Sequence, residues 1–110
     1  MKESVVHQKS YAFAVRIVRL SQYLNGEKRE FVLSKQVLRS GTSIGANVEE
    51  ASGGQSKRDF LSKMSIAYKE ARETVYWLRL LKDTEYLTQA EFDSIHTDAD
   101  ELCRILSKIQ

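Results

Sequence analysis

The sequence predicts an all-α fold, an antiparallel four-helix bundle with up-down-up-down connections, and three observations support this prediction. The 110 residues contain no proline, the residue that most often interrupts a helix. Apolar residues recur at intervals of three and four in four successive stretches, as on one face of a helix. The intervals between these stretches are short, and short connections make successive helices antiparallel neighbours. A chain of this length fits a single domain, residues 1–110.

The first helix is predicted from about Ser4 to Leu24. Asn25 and Gly26 follow it, and we expect this pair to end the helix as a left-handed cap. The predicted inner face of this helix consists of Tyr11, Ala14, Ile17, Val18, Ser21 and Leu24.

The second helix is predicted from about Val32 to Ser52, with Gly53 and Gly54 closing it. One buried stripe is formed by Val37, Gly41, Ile44, Val48 and Ala51. Gly41 and Gly45 are four residues apart, and a glycine costs about 1 kcal/mol relative to alanine inside a helix. This pair therefore predicts a close approach by another helix. Short polar side chains run beside the stripe, namely Ser40, Ser43, Asn47 and Glu50.

The third helix is predicted to begin after a capping-box pattern, Ser56-x-x-Asp59. Its inner seam has the strongest periodicity in the chain and consists of Phe60, Met64, Ala67, Ala71, Thr74, Leu78 and Leu81. A second apolar stripe lies alongside and consists of Leu61, Tyr68 and Val75. We therefore expect this helix to be buried on two sides.

The fourth helix is predicted to begin after a second capping box, Thr88-x-x-Glu91. Leu87 and Phe92 flank this box at the spacing of a hydrophobic staple. The predicted buried stripe of the helix consists of Phe92, Ile95, Ala99, Leu102, Leu106 and Ile109.

Composition narrows the class of protein. The N-terminal stretch has no long apolar run, so it does not match a signal peptide, and no segment has the roughly 18 apolar residues that span a bilayer. We therefore expect a cytoplasmic protein that does not enter a membrane. The net charge is only +2, but residues 1–69 have a balance of +6 and residues 70–110 a balance of −4. Such asymmetry suits either an acidic partner or association between oppositely charged faces.

Basic residues of the first two helices provide one binding hypothesis. Their spacing indicates a positive face that contacts the phosphates of RNA or DNA, formed by Lys2, Lys9, Arg16, Arg19, Lys35 and Arg39. The alternative is a solvated cationic face with no ligand.

Small and polar residues of the middle helices form a second candidate set. The residues predicted to serve helix packing or a subunit interface are Gly41, Ser43, Gly45, Asn47, Glu50, Glu70, Glu73 and Trp77. The structural interpretation is that they hydrogen bond between helices or subunits, since buried polar groups are normally paired. The functional interpretation makes the same polar side chains a recognition surface.

The sequence predicts no catalytic residue, metal ligand or cofactor. A carboxylate-bridged metal pair in a bundle needs two Glu-x-x-His motifs, and the nearest pattern is a single Asp93-x-x-His96. Cys103 has no histidine placed by the sequence to serve as its base. Two alternatives remain open at this stage. One is a metal-binding bundle that uses Glu50, Glu70, Glu73 and His96, and the other is a protein-binding module anchored by Tyr76 and Trp77.

The middle of the chain resembles a known bacterial family. The resemblance rests on the segments LRSGTSIGANVEEA (38–51), KRDF (57–60) and IAYKEARET (66–74), and it extends from about Tyr11 to Leu81. These motifs are similar to those of the four-helix-bundle proteins encoded within intervening sequences of large-subunit ribosomal RNA genes. Family members often carry proline near Ser43 and Ile44 and glycine after the glutamate that follows Asn47, whereas this chain has Gly45 and Glu50-Ala51.

The resemblance implies a bundle that assembles into a ring, commonly a homopentamer. A related accessory protein of diversity-generating retroelements has the same architecture and is described as binding nucleic acid and a reverse transcriptase. For most members no biochemical activity is established. We therefore expect a non-enzymatic scaffold or adaptor with copies of itself, nucleic acid or another protein as partners.

Overall fold

The computed structural model describes residues 4–53 and 56–109 and contains four helices, which are α1 (Val5–Gly26), α2 (Leu33–Ser52), α3 (Lys57–Asp83) and α4 (Gln89–Ile109). Within these ranges the chain forms no strand, so the predicted all-α class is confirmed. Helix α2 packs against α1 and α3, and α4 packs against α3 and α1, while in the described ranges α1 does not contact α3 and α2 does not contact α4. The helices therefore occupy four corners, with α1 and α3 diagonally opposite.

The connection from α1 to α2 differs from the sequence prediction. Asn25 and Gly26 are the last two residues of α1, and no glycine of the described ranges has a positive φ. The left-handed residue of the connection is Arg29, with a φ of 54°. The predicted left-handed cap at Asn25 and Gly26 is therefore wrong, because the chain turns at Arg29, three residues beyond Gly26. Ser34 of α2 donates a hydrogen bond to the side-chain oxygen of Asn25 (2.8 Å).

The helix starts follow the predicted capping patterns closely. The Ser56 hydroxyl accepts the N–H of Asp59 at 3.1 Å. At α4 the box is reciprocal, since the Thr88 hydroxyl accepts the N–H of Glu91 (3.1 Å) and the Glu91 carboxylate accepts the N–H of Thr88 (2.8 Å). Each such bond satisfies a backbone donor that lacks a partner within the helix. At the other end of α2, Gly53 is the C-terminal cap residue, and Gly54 lies outside the described residues.

The core agrees with the predicted stripes of α2 and α4 and with most of the seam of α3. Every apolar residue predicted inside α2 is buried. Phe60 and Ile109, at the outer ends of their stripes, are half-buried, and Leu61 is exposed, so the second stripe of α3 is only partly covered. The fully buried larger side chains include Phe13, Ile17, Leu24, Ile44, Met64, Leu78, Leu81, Leu102 and Leu106.

The inner face of α1 is rotated relative to the prediction. Tyr11 is 73% exposed and Val18 is 39% exposed, so placing them in the core was wrong, and Ala14 is half-buried. The buried residues of α1 are instead Val6, Ser10, Phe13, Ile17, Ser21 and Leu24. The side of α1 that faces the two glycines of α2 carries Ser10 and Ile17, and with these two residues turned inward Tyr11 and Val18 lie toward solvent.

Gly41 and Gly45 both face α1. A β-carbon added to Gly41 would lie 2.7 and 2.8 Å from the two γ-carbons of Ile17, far inside van der Waals contact. A β-carbon on Gly45 would lie 3.3 Å from the backbone carbonyl oxygen of Ser10. Gly41 therefore makes room for the Ile17 side chain, and Gly45 lies close to the α1 backbone at Ser10.

We predict that Gly41→Ala destabilises the protein although alanine is the better helix former. The helix gain is about 1 kcal/mol, but overpacking a core typically costs about 1–3 kcal/mol, and Ile17 is fully buried and has no room to shift. Gly26→Ala is the matched control, since no atom lies within 4 Å of its added β-carbon. Urea unfolding at one protein concentration should show a loss for Gly41→Ala and none for Gly26→Ala. Equal stability of the two variants would contradict the close contact.

Candidate interaction surfaces

Polar residues join α2 to α3 deep in the bundle and at its surface. The hydroxyls of Ser40 and Thr74 are both fully buried and hydrogen bond to each other at 2.9 Å. The Thr74 hydroxyl also lies 2.8 Å from the backbone carbonyl of Glu70. Further out, Lys63 forms a 2.9 Å ion pair with Glu50, and this hydrogen bond raises the pKa of Lys63. The α2–α3 seam is thus specified by polar pairs as well as by apolar packing.

Arg39 is the centre of a charged network on the same seam. Its guanidinium contacts the carboxylates of Glu70 (3.3 Å) and Glu73, and the indole N–H of Trp77 donates to the same Glu73 oxygen at 2.9 Å. Because the guanidinium is half exposed, the network orients α3 on α2 more than it adds stability.

Short polar side chains of α2 bond within their own helix. The Ser43 hydroxyl donates to the Arg39 carbonyl (2.6 Å), and the Asn47 side-chain nitrogen donates to the Ser43 carbonyl (2.9 Å). These residues therefore do not bridge to α1 or α3 through their hydrogen bonds, unlike Ser40, Glu70 and Glu73.

Of the six basic residues proposed from the sequence, the structure describes five, and three of these five pair with carboxylates of a neighbouring helix. Lys9 pairs with Glu101 of α4 at 3.1 Å, and Arg16 contacts Asp98 of α4 at 2.6 Å, so both are directed away from α2. Arg39 is directed toward α3. Lys2 lies outside the described residues.

The remaining two basic residues are available to a ligand. Arg19 and Lys35 are exposed and, within the described ranges, form no ion pair. Contact of the basic residues of α1 and α2 with nucleic acid remains a prediction. The sequence did not reveal the ion pairs, because the partners are 92 and 82 positions apart for Lys9 and Arg16 and 31 and 34 positions apart for Arg39.

An apolar strip follows the outside of α1. Tyr11, Val15 and Val18 lie four and three residues apart and are at least 39% exposed. Shallow grooves of about 340 and 330 Å³ flank this strip, the second one lying between α1 and α2 and lined by Gly45 and Ala46 among others. We call Tyr11, Val15 and Val18 the α1 strip. Helical periodicity placed Tyr11 and Val18 in the core and gave no signal for Val15.

A second apolar patch lies on the diagonally opposite helix. Ile66 and Tyr76 of α3 are 39% and 54% exposed, and the Tyr76 ring packs edge-on against Trp77 with centroids 5.0 Å apart. We call Ile66 and Tyr76 the α3 patch, although they are two separate exposed apolar residues, ten positions or about 15 Å apart along the helix.

The described residues match neither the pattern of a metal site nor that of a membrane-spanning helix. They contain no group of three or more His, Cys, Asp or Glu side chains that could hold a metal ion. The ring of His96 stacks on Phe92, with centroids 4.9 Å apart. The described residues also include no helix long and apolar enough to cross a bilayer.

Cys103 lies half-buried on α4. Burial raises the pKa of its thiol, Asp100 raises it further, and Arg72 lowers it. A nucleophilic cysteine requires the opposite shift, so the surroundings of Cys103 favour a packing role.

We predict that Cys103 is alkylated by iodoacetamide more slowly in the folded protein than in urea at the same pH near 7.5. The raised pKa leaves less thiolate, and the thiolate is the reacting species. The rate should still be rising above the pH at which the unfolded thiol has reached its plateau. Mass spectrometry of timed samples gives both rates. Faster alkylation of the folded protein would contradict this assignment.

These observations define a small bundle of four helices with exposed apolar residues on α1 and α3. A model of the 23S rRNA-intervening sequence protein family matches residues 2–108, and the chain belongs to that family. The resemblance inferred from the central motifs is thereby confirmed.

A solved structure from Bacteroides thetaiotaomicron VPI-5482 is similar to the chain along nearly its whole length. It is described as a protein of unknown function from the S23 ribosomal protein family. The two share 55% identity with a TM-score of 0.94, over 96% of this chain and 97% of that one. A comparison with curated proteins gives no match.

Proposed function

We propose that this protein is a non-enzymatic scaffold whose copies assemble into a closed ring. The observation that carries the proposal is the α1 strip, three apolar side chains on the outside of a bundle whose core is already filled. An apolar row of this kind costs free energy while it faces water. Coverage by another protein chain removes that cost.

The position of the α3 patch favours a second copy as that chain. It lies on the helix diagonally opposite α1, so one protomer presents two different apolar surfaces in different directions. Contact between unlike surfaces is heterologous, and repetition of a heterologous contact gives a ring when its rotation closes. The subunit number of five is the value that family resemblance implies, and we adopt it for this protein.

Binding of RNA or DNA is the second part of the proposal. A ring repeats each unpaired cation once per subunit, and linked weak contacts bind a long polyanion far more tightly than one contact does. Arg19 and Lys35 support this role because they have no carboxylate partner in the described ranges. Lys9, Arg16 and Arg39 contribute less, since each already pairs with a carboxylate.

A heterologous partner helix is the alternative occupant of the apolar surfaces. The edge-on pair of Tyr76 and Trp77 favours it, since these residue types are enriched among interface hot spots. Under this alternative the purified protein alone is a monomer.

We predict that Val15→Glu reduces the assembly to monomers without unfolding them. The substitution places a charge within the apolar contact but at an exposed position of the protomer, 40% accessible. Ala12→Glu is the matched control, an exposed position on the same helix outside the α1 strip. Sedimentation velocity should give about five chain masses for the wild type and for Ala12→Glu, and one for Val15→Glu.

Circular dichroism is the control for folding, and both variants should give the helical spectrum of the wild type. A wild-type monomer would overturn the ring and favour the heterologous partner. An unchanged mass for folded Val15→Glu would exclude the α1 strip from the interface.

A further inference from the structure

The loop between α1 and α2, residues 27–32, is a fixed structure at one end of the bundle. The N–H of Glu27 donates to the Tyr23 carbonyl (2.8 Å), and the N–H of Glu30 donates to the Leu24 carbonyl (2.9 Å). Arg29 adopts the left-handed conformation between these two bonds. The backbone of the loop is therefore held against the end of α1.

The loop is more positive than its sequence, Glu-Lys-Arg-Glu, suggests. The carboxylate of Glu30 turns back to α2 and accepts the N–H groups of Val32 (3.3 Å) and Ser34 (2.8 Å). It thus caps a helix whose Val32 cap residue has no side-chain oxygen. Its negative charge is directed at the positive end of α2. Glu27 is the remaining exposed acid of the loop.

Two cations stand beside aromatic rings in this loop. Lys28 Nζ lies 5.9 Å from the centroid of the Tyr23 ring, and Arg29 Cζ lies 5.8 Å from the centroid of the Phe31 ring. Phe31 is 51% exposed. Within the described ranges Lys28 and Arg29 form no ion pair.

We propose that this loop binds single-stranded nucleic acid, with Phe31 stacking on a base and Lys28 and Arg29 contacting the flanking phosphates. Lys35, exposed in the first turns of α2, extends the same cationic end. This inference rests on the proposed function, since it locates the nucleic-acid contact of the scaffold. It also moves that contact away from the helix faces, where Lys9, Arg16 and Arg39 are paired.

The exposed aromatic side chain of Phe31, together with the two neighbouring positive charges, favours single-stranded nucleic acid as the ligand. Single strands bind to aromatic side chains on which bases stack, within a positive groove that follows the backbone. A duplex keeps its bases stacked internally and leaves nothing for Phe31 to contact. An acidic protein would be attracted by the cations alone, without a need for the exposed aromatic side chain of Phe31.

The test is fluorescence anisotropy with a labelled 20-nucleotide oligo(dT) and with a labelled duplex of equal length. We expect the wild type to bind the single strand more tightly than the duplex. Phe31→Ala should weaken single-strand binding about fivefold or more, because stacking on one aromatic side chain contributes at least that much. Phe31→Leu keeps the apolar bulk without the aromatic face and should show a similar loss.

The charges are tested with two matched double variants. Lys28→Ala with Arg29→Ala should weaken binding and reduce the slope of log affinity against log salt by about 1.4 per loop engaged, since each single-strand phosphate contact contributes about 0.7. Lys57→Ala with Arg58→Ala is the control, a Lys-Arg pair exposed at the opposite end of the bundle. It should leave both affinity and slope unchanged.

Several outcomes would overturn the assignment. These are equal loss in the two double variants, full affinity in Phe31→Ala, and binding of the protein to phosphatidylglycerol vesicles but not to the oligonucleotide. Light scattering on the same samples measures the number of chains per particle, so it tests the proposed assembly independently of the loop site. An oligomer whose loop variants bind the strand with full affinity contradicts the loop site alone. An oligomer that binds neither the strand nor the duplex also contradicts the nucleic-acid part of the proposed function, and a monomer contradicts the proposed assembly.

Discussion

The close approach of α1 to α2 at Gly41 and Gly45 is the constraint on which the rest of the structure depends. It bears on the rotation of α1 about its own axis, because the Ile17 side chain and the Ser10 backbone occupy the space that the two glycines leave open. With Ser10 and Ile17 held against the glycines, Phe13 must point into the core and Val15 must point away from it. The outward apolar strip is therefore a consequence of an inward contact.

Much of this fold was predictable from the sequence, and the errors have a common physical cause. The stripe of α2 and the capping boxes of α3 and α4 are local patterns, and the structure contains them as predicted. The face of α1 was misassigned because Tyr11 and Val18 are more hydrophobic than Ser10, and hydrophobicity was taken to indicate burial. The buried face of α1 is instead the one whose residues Ser10 and Ile17 pack against the two glycines. This packing involves a second helix, which no pattern within α1 contains.

Part of the uneven charge of the chain is paired inside each protomer. The basic first half and the acidic second half meet across helix seams, where Arg16 reaches Asp98 and Arg39 reaches Glu70 and Glu73. These pairs depend on the relative axial positions of helices distant in sequence, so the sequence analysis could not predict them. Six of the 16 Lys and Arg side chains in the described ranges form ion pairs and ten do not, and two of those ten, Lys28 and Arg29, lie in the α1–α2 loop.

The most direct test of the account is cross-linking between copies of the chain. In a Cys103→Ser background, the double variant Val15→Cys with Tyr76→Cys places one thiol in the α1 strip and one in the α3 patch. A short bismaleimide should then produce a ladder of covalent species ending near five chains, while each single-cysteine protein stays uncross-linked. Efficient cross-linking of the Val15→Cys protein to itself would show a symmetric contact and contradict the ring, and so would the absence of any ladder in the double variant.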